Sequence, residues 1–522
     1  MFNINIHAEY SKLFGKKAPS LKHLIPNRVS VGCLIAHSMI SYSDRTEYLN
    51  TWCEKNLNLS KKGKKEIKRV KIKKRPSNLL LWVELLKKDI KSCDLNKFKV
   101  DNFLKEVVEP LTAINEKEVP DKDEPLYLVK NILYAYQDNA LYQFYRAIQI
   151  FINDKSMRVY AEDFENKNEI ALKEFIFICH CIGIKYLQNA DFGVAQNWVL
   201  SAEELSLSTG FMVDKIEKTM KLISFTQAEC RKYSQSEEFK EHDFNFFANK
   251  PFFKIDNNYY VPVDGKLTQN LVFNNLFYRV KSASKNKKAF MRDFGFAFER
   301  YVVSFIEDVC LNSRSHKYIH VPEFKYDNQT KHSSDSYILY QDNENEENIV
   351  LVVEVKSARI LDNVKRLKGS RDAVEKSIKK LSLSPLEQQI KVTSNIIKSN
   401  SHQSITENAV YYFISVSMDD FPLLVGGWDS KINSGELNEL KCGGLYSFNI
   451  EELELLSKLI SGDLEYPFPY LLEKYRVDYS ELSFKTYLSR LEKALGFKNP
   501  RFEKKILESQ KIITDYLRSE NV

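Results

Sequence analysis

The stretch Ser334 to Lys356, SDSYILYQDNENEENIVLVVEVK, decides how the rest of the chain is read. Two runs of strand character, Tyr337 to Tyr340 and Ile349 to Lys356, flank the polar, turn-rich QDNENEEN. If the turn centres between Glu344 and Asn345, an assumed register that the equal arms support, Asp335 lies opposite Glu354 across a hairpin. Alternation then puts Glu354 and Lys356 on one face of their strand. The segment LVVEV is otherwise apolar, as a buried strand is. A carboxylate in such a strand is costly unless it is paired or binds a cation. Two neighbouring carboxylates repel, and a hard divalent cation resolves the conflict. Two acidic ligands, such a cation and a lysine suit phosphodiester hydrolysis. The cation activates water and polarises the phosphoryl oxygen, and the lysine positions the water or offsets developing charge. The same pattern also describes a surface hairpin whose charges form ordinary ion pairs.

Outward from this hairpin, Phe290 to Leu311 reads as a helix, and Tyr318 to Phe324 and Val410 to Val416 read as strands. Helices fill about 361 to 400. The order helix, three strands, helix, strand predicts an α/β fold with a mixed sheet flanked by helices. The helix carries one apolar stripe at Phe294, Phe298, Tyr301 and Phe305. A second runs through Phe296, Glu299, Val303, Ile306 and Cys310, so Glu299 falls within an apolar face. That glutamate either faces the hairpin's carboxylates or pairs with Arg300 or Arg292. Ser384-Pro385-Leu386-Glu387 has the form of a capping box that opens a helix with Leu386, Gln389, Ile390 and Thr393 on one face. Gln389 is read as a site residue or as an exposed amide.

Ile349 to Ile360, IVLVVEVKSARI, resembles the signature strand of the PD-(D/E)xK nuclease superfamily, with Glu354-Val355-Lys356 as the ExK element. Asp335 matches the upstream aspartate, and Ser334 stands where the motif name has proline. The resemblance covers about a quarter of the chain. It implies a restriction-endonuclease-like core and Mg²⁺, or Mn²⁺ in its place, held by Asp335, Glu354 and the Val355 carbonyl, with Lys356 serving the attacking water. Superfamily members often carry a glutamate on the first helix in a similar GxxFE context, here Gly295 to Glu299, GFAFE. A glutamine on the helix after the ExK strand also recurs, which Gln389 matches. The implied activity is that of a metal-dependent endonuclease, with DNA expected before RNA as partner. A ribonuclease of the same fold and a non-catalytic nucleic-acid-binding scaffold are the alternatives. Chains that pair a helical region of this kind with such a nuclease domain resemble bacterial antiphage-defence or mobile-element proteins, an analogy only.

Three regions are expected: an α-helical regulatory or partner-binding domain over 1–245, the nuclease domain over 250–450 and a helical region over 451–522. Asn78 to Ile90, Tyr127 to Ile152, Leu172 to Leu187, Ala195 to Leu205 and Asp214 to Lys232 carry helical patterns. Pro251 to Val263, with Asp256-Asn257-Asn258 between two aromatic runs, signals a hairpin. The segment KSASKNKK, 281–288, reads as a basic linker.

The chain has 522 residues, enough for several cores, and 33 Phe and 28 Tyr with which to fill them. A net charge of +7 only permits an anionic partner. Ser60 to Arg75 concentrates ten Lys or Arg against one Glu, either a phosphate-attracting segment or a solvated loop. The eight cysteines form no CxxC pair, and Cys179-His180-Cys181 within FIFICHCIGI reads as buried packing rather than a zinc site. No phosphate-binding loop, GxSxG or HExxH occurs, which argues against ATP hydrolysis. No leader or membrane span is read, so a cytoplasmic location is expected, with a homodimer or a regulatory protein partner compatible with two-strand cleavage.

Overall fold

In a computed structural model, the described residues are all except 1–8, 43–45, 69–75, 118–138, 189–193, 237–238, 240–244, 257, 314–316, 342–347, 361–363, 365–370, 420–431, 433–434, 462–466, 480–482, 496–498 and 521–522. The fold is mixed α/β. The chain divides into two compact units. One comprises Met1–Ala147, Val159–Lys285 and Ile513–Val522, and the other Ile148–Arg158 and Asn286–Ile512.

The first unit is mainly helical, but it is not the all-α domain expected. Arg28–Ser30 pairs in parallel with Asp89–Lys91. A four-stranded sheet runs Leu200–Ser201, Tyr259–Pro262, Phe252–Lys254, Ser224–Phe225. Strands of two or three residues set among helices have no period to read. The aromatic hairpin forms as expected, with Phe253 opposite Val261. Its partners are the strands at 200–201 and 224–225, so it belongs with this unit rather than beginning the next. The boundary by contacts therefore lies at Lys285 and Asn286, not near 250. The expected linker shrinks to Ser284-Lys285-Asn286, because a helix runs Leu276–Ala283 and another starts at Lys287. Half of the basic run is helix rather than loop. Ser60 accepts the Gly63 N–H and caps Lys61–Ile67, and 69–75 lie outside the described residues. His180, in the helix Leu172–Gln188, stacks on the Phe144 ring at 3.9 Å between centroids.

The second unit opens with helix α1, Lys287–Leu311, whose first turn is capped by Asn286 accepting the Ala289 N–H at 3.0 Å. Then follow β1 (Tyr318–Pro322), β2 (Ser336–Gln341), β3 (Asn348–Lys356), helix α2 (Ser384–Lys398), β4 (Val410–Ser417), β5 (Lys441–Asn449) and helix α3 (Ile450–Ile460). The sheet order is β5-β4-β3-β2-β1. The first three strands form an antiparallel meander, and β3, β4 and β5 are parallel. Val350 and Val352 of β3 pack with Tyr337, Tyr411 and Phe413 against Leu386 and Ile390 of α2. Each such side chain contributes roughly 1.5–3 kcal/mol by leaving water. Glu354 and Lys356 continue the row of Val350 and Val352 to the strand's end.

Strand β5 is missing from the sequence reading, which took Gly443-Gly444 as a turn. A Cβ at 443 would lie 2.4 Å from the Tyr412 ring, and one at 444 lies 2.6 Å from the Tyr446 hydroxyl oxygen. The glycines make room for Tyr412 on the neighbouring β4 and for Tyr446 farther along β5 itself. The capping box at Ser384 does not form either. Helix Arg371–Ile378 and a π-helical turn, Lys379–Leu383, already lead into α2, so Ser384 has helical dihedrals and caps nothing. The face Leu386, Gln389, Ile390, Thr393 is buried as expected. No helix among the described residues is long and apolar enough to cross a membrane.

Candidate active site

The register of β2 on β3 pairs Ser336 with Val353, so one further step sets Asp335 against Glu354. This is the register of a turn centred between Glu344 and Asn345, although 342–347 themselves lie outside the described residues. The register of β1 on β2 pairs Ser336 with Pro322, which continues to Glu323 beside Asp335. Three carboxylates, Glu323, Asp335 and Glu354, thus share one row at one end of the sheet. Glu323 escaped the sequence reading, because thirteen residues folded around a small hairpin, Lys325–Tyr326 with Lys331–His332, hide the register. The one available signal was an acidic residue directly after a strand-ending proline.

Each member of the row is held differently. Asp335 Oδ2 accepts the Val355 N–H at 2.6 Å, which ties the mouth of the hairpin. Lys356 Nζ donates to Glu354 Oε1 at 2.6 Å. Glu354 is 3% exposed, and its Oε2 is buried without a partner among the described residues. Glu323 Oε1 lies 2.8 Å from His332 Nδ1. Glu299, from α1, is half-buried and feels both Asp335 and Lys356. The alternative partners for Glu299 are engaged elsewhere: Arg300 forks onto Asp154 at 2.9 Å for both bonds, and Arg292 bonds Asp293. Gly295, one turn before Glu299, allows the helix to approach the end of β3, where a Cβ would lie 3.2 Å from Ser357 Oγ.

The charges explain the titration behaviour. Burial and then the Asp335 charge push Glu354 up to about 7, with Glu299 adding to the rise and Lys356 opposing it. Burial raises Asp335, against the Val355 amide and Lys356, and Glu323 raises it further. Burial and the charges of Asp335 and Glu323 raise Glu299, against Lys356 and Arg300. Four carboxylates around one lysine leave an excess of negative charge that a cation relieves.

Gln389 is placed differently from its sequence reading. It is fully buried, neither an exposed amide nor bonded to a carboxylate of the row among the described residues. Its Nε2 donates to the Ile414 carbonyl of β4 at 2.8 Å, and its Oε1 has no partner among the described residues. Ile414 pairs with Val353, the residue before Glu354, so Gln389 braces the strand beside the site. Beyond Lys356, Arg359 and Asp419 form a largely buried pair at 3.1 Å, and the Ile360 N–H also reaches Asp419. This pair joins the segments that leave β3 and β4.

Among the described residues no group of three or more His, Cys, Asp or Glu is arranged to hold a metal ion as it stands. The donor set nevertheless suits magnesium, which takes one or two carboxylates and keeps several waters. Asp335, the unpartnered Oε2 of Glu354 and the Val355 carbonyl make such a set. Comparison of the chain with protein-family models, curated proteins and solved structures finds no significant match.

Proposed function

We propose that the chain is a divalent-cation-dependent nuclease of the PD-(D/E)xK type, acting on DNA before RNA. The observation that carries this reading is the meeting of Asp335 and Glu354 across the β2–β3 register, with Lys356 bonded to the buried Glu354 carboxylate. The order α1, β1–β2–β3 meander, α2, β4 supports a restriction-endonuclease-like core.

Asp335, Glu354 and the Val355 carbonyl would hold Mg²⁺ or Mn²⁺. When bound, the ion supplies Lewis-acid polarisation of a phosphoryl oxygen and a water of lowered pKa. The residues do the rest. Lys356 Nζ, a third exposed, has donors to spare for a phosphoryl oxygen once it turns from Glu354 Oε1. Glu299, raised above the usual carboxylate range, is suited to holding a proton at its Oε atoms beside the attacking water. Gln389 and the Arg359–Asp419 pair keep the ends of β3 and β4 in place.

A digestion panel tests this: linear, circular and single-stranded DNA and RNA, with Mg²⁺ or Mn²⁺, beside Glu354→Ala and Lys356→Ala. Cleavage by the parent protein and loss in both variants is the expected result. No cleavage of any substrate, or equal cleavage by Glu354→Ala, overturns the reading.

A further inference from the structure

The sequence pattern placed Phe296 on a buried stripe with Glu299, yet Phe296 is 51% exposed. At 100° per residue, Lys288, Arg292, Phe296 and Glu299 fall on one face of α1, within about 60° of Glu299. Lys288 is exposed and has no ion pair among the described residues, and the Arg292 side chain is 67% exposed while bonding Asp293 through Nε. The Phe296 ring has no aromatic or cationic neighbour among the described residues. The face therefore reads, from its start toward the carboxylates, cation, cation, aromatic ring, carboxylate. An uncovered aromatic ring with two cations in line before it is complementary to a base with its phosphates. A ring meets a base face only where the base is free of its duplex stack.

We propose that this face of α1 is a track for an unpaired nucleic-acid strand, with one base stacked on Phe296 and the adjoining phosphates held by Lys288 and Arg292. The inference rests on the nuclease reading and narrows its substrate to nucleic acid with a single-stranded segment. Charge favours a chain of phosphates over an apolar protein partner, because Arg292 and Lys288 lie in line one and two turns before the ring.

The test is fluorescence anisotropy of the full chain with labelled single-stranded DNA, single-stranded RNA and blunt duplex of one sequence, in EDTA so that cleavage is stopped. Phe296→Ala is expected to weaken single-strand binding about tenfold and to leave duplex binding within about twofold. Phe296→Tyr should bind single strands like the parent. The double variant Lys288→Ala/Arg292→Ala should flatten the dependence of log affinity on log salt by about 1.4, two phosphate contacts on a single strand. Circular dichroism of each variant checks the fold, which a half-exposed ring leaves intact. Unchanged single-strand affinity in Phe296→Ala, or an equal loss on duplex, overturns the track while parent cleavage leaves the nuclease reading standing. A parent that neither binds nor cuts any of the three overturns both.

Discussion

His37 and Glu354 are both buried titratable groups in apolar elements, one in each unit, and they differ in their company. His37, on the helix Val31–Tyr42, is fully buried and gives one ring nitrogen to the Asn78 carbonyl at 2.8 Å, while Nδ1 has no partner among the described residues. Burial pulls it down to about 4, against the Asn78 bond, and Trp82 covers it at 5.4 Å between ring centroids. Around it stand Ser38, Ser41 and Asn78, all neutral. Glu354 has the same burial and the same kind of unpartnered atom, but three further carboxylates and a lysine act on the row it joins. An orphaned buried atom alone marks a neutral group inside a core. An orphaned atom among like charges marks a place where a cation is wanted.

The strongest way to break this contrast is activity. Lys356→Ala or Glu354→Ala should lower cleavage at least a hundredfold, on the order of 3 kcal/mol of transition-state stabilisation. His37→Leu should leave it unchanged, which initial rates on the best substrate would check. Cation binding sharpens it next. Mg²⁺ at a hundred times its dissociation constant should stabilise the parent by about 2.7 kcal/mol. Glu354→Gln should abolish that gain while His37→Leu keeps it, as thermal melts with and without Mg²⁺ would report.

The pH dependence has opposite signs in the two regions. His37 is held below its ordinary 6.5, so its contribution to stability is full above 6.5 and is lost as pH falls toward 4. Glu354 is held above its ordinary 4.5, so its contribution is full below 4.5 and is lost as pH rises through about 7. Between 4.5 and 6.5 the two oppose each other. Melting temperatures without metal across that window should therefore slope more downward in His37→Leu than in the parent, and more upward in Glu354→Gln. Slopes of one sign in both variants would end the comparison. The smallest effect is expected from Gly295→Ala. Helix propensity favours alanine by up to about 1 kcal/mol, and the 3.2 Å approach to Ser357 opposes it. Melting should move little and cleavage should fall a few-fold, because α1 is pushed from the end of β3.

The register of the central hairpin was legible because its two arms are equal and its turn is polar. Helix α1 and strands β1 to β4 were legible from period alone, and they bring Glu299, Asp335, Glu354 and Lys356 together. Glu323 was not, since its neighbourhood depends on a long connection whose ends meet only in the sheet. Strand β5 was hidden by Gly443 and Gly444, whose bareness makes room for Tyr412 on β4 and Tyr446 on β5. The capping box failed because local chemistry at Ser384 competes with a helix already in progress. Gln389 was placed on the correct face, but its bond to Ile414 depends on a strand that comes later.

All eleven residues of α3 are buried, Glu451, Glu452, Glu454 and Lys458 among them. Tyr301 donates to Glu454 at 2.6 Å and the Asn449 N–H to Glu452 at 3.1 Å, while further bonds to Glu451, Glu452 and Lys458 come from chain that follows. Lys485 Nζ reaches Glu451 at 2.6 Å and its N–H reaches Glu452 at 3.0 Å; Glu492 pairs with Lys458. A nascent chain therefore lacks the Lys485 and Glu492 contacts to three buried charged residues until the helix Phe484–Leu495 has left the ribosome. The second unit completes these contacts late in synthesis, after the strands that carry its carboxylates have been made. A chain stopped at Ser483 should remain insoluble or protease-sensitive, whereas one stopped at Ile512 retains these pairs, and limited proteolysis of the two would separate them.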